Sequence, residues 1–196
     1  MVYIYSKPCI AVLIVISFFL NSCDSQKQSK DIESILGRTQ NYGTIPEFSG
    51  TTDANVKMTQ KDLSGKLWLV SFFFSSCGDI CPKLNAVKSS IVAKHTSDSV
   101  RFLSVTVDPE TDTPETLKRH RQEMKFTDKR WTFIRMDNDS ILERFMNGLM
   151  IGYAEQPQNH SARIILIDSK SHIRGYFDAL DTQQVDSLES ILRNMQ

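Results

Sequence analysis

Phe72-Phe73-Phe74-Ser75-Ser76-Cys77-Gly78-Asp79-Ile80-Cys81-Pro82 is the stretch that decides the fold. An aromatic, apolar run stops in two cysteines with three residues between them, and a proline follows at once. Extended upstream, Lys66 to Phe74 is almost continuously apolar, the pattern of a central strand buried on both faces. Pro82 suits the first position of a helix, where a missing N–H costs nothing. Leu84, Val87 and Ile91 then recur at helical spacing on one face. A buried strand that delivers two thiols to the mouth of a helix suits thiol chemistry or soft-metal binding. The dithiol alone does not separate the two.

Downstream, Val100 to Val107 alternates about an apolar face and reads as a second strand. Strand, helix and strand in this order form a βαβ unit, which favours parallel pairing with a right-handed crossover. Thr113-Pro114-Glu115 supplies an N-cap, a proline and an acidic first turn for a helix reaching about Met124. A further helix is expected from Ser140 to Leu149, after the capping-prone Asp137-Asn138-Asp139. Ser161 to Asp168 reads as a strand. The polar turn Ser169-Lys170-Ser171-His172 joins it to Ile173–Phe177 as a β-hairpin. Val185, Leu188, Ile191 and Leu192 mark a C-terminal amphipathic helix. The order predicts an α/β, thioredoxin-like fold, a mixed sheet flanked by helices.

Upstream of the domain the chain changes character. Lys7 precedes Ile10 to Leu20, an uncharged run of 11 residues. A spanning helix needs about 20 apolar residues, so residues 1–22 read as a signal peptide. The run ends in Leu20-Asn21-Ser22-Cys23, which resembles a bacterial lipobox and makes Cys23 the expected lipidation site. Residues 23–43, rich in Ser, Gln, Lys and Asp, read as a tether, and 44–196 as the folded domain. The expected location is the bacterial cell envelope, with the domain outside the cytoplasm and lipid holding it to a membrane. Lys plus Arg equals Asp plus Glu, 23 each, so the chain lacks the basic excess of a nucleic-acid binder.

Of four cysteines, Cys9 leaves with the signal peptide and Cys23 carries lipid, so Cys77 and Cys81 remain. So short a loop constrains little chain and is no disulfide scaffold. An oxidising compartment makes a disulfide their default state. Cys81 near a helix start is expected to have a lowered thiol pKa. His160, in Gln156-Pro157-Gln158-Asn159-His160-Ser161 just before a strand, sits where a thioredoxin-like loop passes the cysteines. A lone loop histidine is more often simply solvated. His120, in Lys118-Arg119-His120-Arg121, is expected on an exposed helix face. His95 follows the first helix and His172 lies in the hairpin turn. Met124, Met136, Met146 and Met150 fall at core-like positions and form no metal-binding string.

Three motifs in order resemble the Sco/SenC family. They are Cys77-Gly78-Asp79-Ile80-Cys81-Pro82, Val107-Asp108-Pro109-Glu110-Thr111-Asp112-Thr113-Pro114, and His160-Ser161 before a strand ending in Ile167-Asp168. The resemblance implies a thioredoxin-like fold and copper, Cu(I) or Cu(II), held by Cys77, Cys81 and His160. It also implies delivery of that copper to the CuA-bearing subunit of cytochrome c oxidase, with a thiol reductant or copper donor as a second partner. Asp108 matches a family aspartate near the site, although an Asp-Pro turn explains it equally well. The chain departs from the family at Ser75-Ser76, where an aromatic-Thr-His run is usual, at Gly78 in place of proline, and at Asn159 in place of aspartate. The alternative function is a thiol–disulfide oxidoreductase that reduces partner cysteines, and a redox or copper sensor is a third. Two thiolates and an imidazole suit soft Cu(I), whereas a structural zinc site would want a fourth protein ligand.

Overall fold

Seven consecutive buried residues, Leu67–Phe73, form β3 at the centre of the sheet. The computed structural model describes residues 40–78, 80–149 and 162–194. The remaining elements are β1 Ser49–Thr52, β2 Lys57–Thr59, α1 Ile80–Lys94, β4 Val100–Thr106, α2 Pro114–Glu123, β5 Trp131–Met136, α3 Asp139–Gly148, β6 Arg163–Ile167, β7 Ile173–Asp178 and α4 Thr182–Arg193. A short 3-10 turn, Gln60–Leu63, leads into β3.

The strands form one seven-stranded sheet in the order β2-β1-β5-β4-β3-β6-β7. β3, β4 and β5 are parallel, and the flanking pairs are antiparallel. The expected βαβ unit and hairpin are both present, and the fold is thioredoxin-like. Because side chains alternate along a strand, β3 splits its apolar content between two cores. Leu67, Leu69 and Phe73 pack with Leu84 and Ile91 of α1, Leu117 of α2, and Leu188 and Leu192 of α4. Trp68, Val70 and Phe72 pack on the opposite face with Leu142, Phe145 and Met146 of α3 and with Ile45 and Phe48 from the N-terminal segment.

Local chemistry fixes the helix starts. Thr113 caps α2, accepting from the Thr116 amide at 3.3 Å, with Pro114 opening the helix. Asn138 caps α3, accepting from Ile141. α1 begins at Ile80, two residues before Pro82, so Cys81 lies inside the first turn rather than just ahead of it. Strands β1, β2 and β5 carry no expectation above. β1 depends on Gly50, where a Cβ would lie 2.5 Å from the Arg135 carbonyl oxygen across the strand pair. Among the described residues no helix is long and apolar enough to cross a membrane.

The candidate metal and thiol centre

Parallel β3 and β4 carry the chain to the same edge of the sheet, and the cysteines lie where β3 ends. Val107 N donates to Phe73 O at 2.9 Å, tying the two strand ends together. The loop turns at once, with Cys77 N donating to Phe74 O at 3.2 Å. Cys77 is half-buried and Cys81 is 2% exposed, and both are thiols. The Cys77 and Cys81 sulfurs lie within hydrogen-bond reach of one another.

Their electrostatics differ from expectation. The Cys81 thiol is pushed up to about 12, first by burial and then by a hydrogen bond with the Cys77 sulfur. The Phe74 backbone and the positive Lys88 pull the other way and lose. A helix start lowers a thiol pKa only where water or a strong cation helps to stabilise the thiolate. At Cys81 the apolar contacts with Leu84 and Phe73 in the same core decide the sign.

Asp112 holds the loop that presents Cys77. It is fully buried and accepts from Ser75 N at 3.0 Å, from Ser75 Oγ, and from Thr106 Oγ1 at 2.5 Å. One carboxylate thereby joins the end of β4 to the residues just ahead of Cys77. Asp108 does something else: its Oδ1 accepts from Thr111 N at 3.3 Å, and its own N–H donates to Thr106 Oγ1. That is a turn role.

Beneath Cys81 lies Lys88, 2% exposed. Its Nζ donates to Ser71 Oγ at 2.9 Å and Ser104 Oγ at 2.8 Å, and sits 4.7 Å from the Trp131 ring centroid. Trp131 Nε1 also donates to Ser104 Oγ, at 2.9 Å. Burial pulls the Lys88 ammonium down to about 7, and the Cys81 charge partly opposes this. His120 is buried, not exposed, because its ring stacks on Phe73 at 5.4 Å. Burial lowers its pKa. Its basic neighbours Arg119 and Arg121 face elsewhere, with Arg121 bound to Asp53 at 2.5 Å. Met124 is exposed rather than core-like.

His160 and Cys23 lie outside the described residues. Among the described residues no group of three His, Cys, Asp or Glu side chains assembles a metal site. Sequence reading missed Asp112, although it sits inside the motif quoted around Asp108. It missed Lys88 too, although that position, seven after Cys81, falls on the apolar face set by Leu84 and Ile91.

A thioredoxin-like sheet that ends its central strand in a Cys-x-x-x-Cys dithiol, at the first turn of a helix, defines a class of thioredoxin-like dithiol proteins. Within that class, the chain belongs to the SCO1/SenC family, whose profile matches residues 37–196. It is similar to the SCO1 protein homolog of Bacillus subtilis, 25% identical over 92% of each chain. Its fold is similar to that of BsSco, a Sco-family cytochrome c oxidase assembly protein in which a disulfide switch was identified. There the TM-score is 0.70 and the identity 22%, covering 80% of this chain and 95% of that one. It is likewise similar to Arabidopsis thaliana ScoI with copper bound, with TM-score 0.61 and 21% identity over 77% and 99% of the two chains.

Proposed function

We propose that the protein is a copper metallochaperone of the cell envelope. In this reading it binds copper through Cys77, Cys81 and His160 and helps assemble the CuA centre of cytochrome c oxidase. The observation that carries the reading is the hydrogen bond between Cys77, in the loop after β3, and Cys81, buried in the first turn of α1, in a chain of a family with copper-bound and oxidase-assembly members. The donor chemistry fits: two sulfurs are soft ligands, and an imidazole completes a set suited to Cu(I). Copper, the cargo, supplies the redox and transfer chemistry. The chain's own residues hold one sulfur in the loop and the other in the first turn of α1 and exclude water from Cys81, whose thiol gives up a proton as metal enters. Cys23 serves as the lipid anchor after removal of residues 1–22, and the chain between Cys23 and Tyr42, where contacts with the domain begin, spans the distance to the membrane.

A thiol–disulfide oxidoreductase is the second reading, favoured by the hydrogen bond between the two cysteines and by the disulfide switch of BsSco. An oxidase-assembly assay on single mutants separates the two. A chaperone loses function in Cys77→Ser, Cys81→Ser and His160→Ala, while His160→Ala still forms the disulfide. A pure reductase loses function in the cysteine mutants and keeps it in His160→Ala. Failure of the reduced wild-type protein to take up copper would sink the chaperone reading.

A further inference from the structure

A lysine is almost never fully buried unless an anion pairs with it. Lys88 is 2% exposed, and among the described residues no carboxylate lies within ion-pair distance of it. Ser71, Ser104 and the Trp131 ring solvate its ammonium but carry no charge. The ionisable group coupled to its charge is Cys81, seven residues earlier on the same helix face. His120 of α2 and Asp112 of the loop before it face the same region, and Asp112 is already engaged by Ser75 and Thr106. Between Cys81 and Lys88 stands Asn85, also 2% exposed, with neither side-chain amide atom hydrogen-bonded. Helical side chains lean toward the N-terminus, which sends that amide back toward Cys81. The inner face of α1 thus carries a charge and a dipole that neutral thiols do not use.

We infer that Lys88, aided by Asn85, is the buried countercharge of the metal-loaded Cys77–Cys81 pair and biases it toward a monovalent ion over a divalent one. This rests on the copper reading of the pair. Two thiolates, a neutral imidazole and a monovalent ion sum to one negative charge, whereas a divalent ion makes the site neutral. A fixed positive charge nearby favours the first. The change between the two states is one electron added to the ion, with no bond broken and no proton moved. Seven residues of helix rise span about 10 Å. At that distance and an effective dielectric near 20, a unit charge shifts the ratio of the two states roughly tenfold, or about 60 mV for one electron.

The test uses the full chain in detergent, loaded with copper, with the potential of the bound ion set by an electrode and read by absorbance. In Lys88→Met the potential falls by about 60 mV, the one-electron equivalent of tenfold. The metal-free dithiol–disulfide midpoint, poised against a glutathione buffer, stays put, because Cys81 there is an uncharged thiol. Lys88→Gln, polar but neutral, behaves as Lys88→Met and carries the test if the methionine variant does not fold. An unchanged copper potential in the folded variants overturns the inference. So does an equal shift in both potentials, which would mark a packing role. A wild-type chain that takes up no copper overturns the copper reading itself, and is recognised before any variant is made.

Discussion

Asp112→Ala should loosen the loop that presents Cys77 while leaving both cysteines in place. The substitution removes a buried carboxylate that accepts from Ser75 N, Ser75 Oγ and Thr106 Oγ1. Hydrogen bonds to a charged group contribute about 1.5–3 kcal/mol each, and the donors left behind are buried or half-buried. The three bonds share one acceptor and are not additive, so the expected loss is about 4 kcal/mol. For a domain of this size that lowers Tm by roughly 8–16 °C. The assay is thermal unfolding of the reduced protein, followed by the rate at which a maleimide labels Cys77 under native conditions. Labelling should speed up in Asp112→Ala, because Ser75 lies only two residues ahead of Cys77. Asp112→Asn, which can keep one or two of the acceptor contacts, should fall between wild type and alanine in both measurements. A destabilised Asp112→Ala protein with wild-type Cys77 labelling would refute the link between the carboxylate and the thiol loop. A Tm within about 2 °C of wild type would refute the energetic argument.

Lys88 makes stability depend on pH. Burial holds it at about 7, against an ordinary value of 10.5, so between these limits the native protein binds fewer protons than the unfolded chain. Its destabilising effect is complete below about pH 7 and is relieved as pH rises toward 10, so denaturant midpoints of the reduced protein should climb over that window. Lys88→Met should flatten the climb and, near pH 6, gain a few kcal/mol; a steeper slope in the variant would contradict this. Under native conditions Cys77, half-buried, should react with an alkylating agent well before Cys81, which is 2% exposed and held as a thiol. Peptide mass mapping that finds Cys81 modified first would be incompatible with the geometry. Cys23→Ala should release the protein from membranes or block its processing, and unchanged fractionation in the variant would remove the lipid anchor.

Periodicity carried furthest where an element is long and its two environments differ. The unbroken run Lys66 to Phe74, the Thr113-Pro114 cap and the hairpin turn at Ser169 to His172 each have one reading, and the structure places them within a residue or two of it. β1 and β2 were silent because four and three residues show no period, and because Gly50 looks like a breaker until its close approach to Arg135 is known. β5, Trp131–Met136, is apolar enough to be seen, but the polar Asp137-Asn138-Asp139 at its end reads as the cap of the next helix rather than as the end of a strand. At the site, the cysteines were legible because spacing and a following proline set them apart. The sign of the Cys81 shift was not, since it depends on how much apolar surface three other elements bring to it. Lys88 and His120 were hidden for a related reason. A charged side chain on a helix reads as exposed unless the two serines or the phenylalanine ring that receive it from distant strands are known.

The N-terminal strip sets where the polypeptide can be cut. Tyr42 N donates to Ile173 O, Ile173 N to Gly43 O, and Ile45 N to Ser171 O, while the Tyr42 ring meets Tyr176 edge-on at 5.2 Å. Three residues on, Phe48 sits 4.9 Å from Phe145, and Pro46 lies so close to Gly148 that any larger residue there would collide with it. A protease that clips ahead of residue 40 should therefore liberate an intact folded fragment. A clip between Phe48 and Ser49 would strip Ile45 and Phe48 from the core, about 1.5–3 kcal/mol for each side chain, and uncover the flank of α3. For anyone preparing a shortened version for crystallisation or spectroscopy, the safe starting point lies upstream of Tyr42.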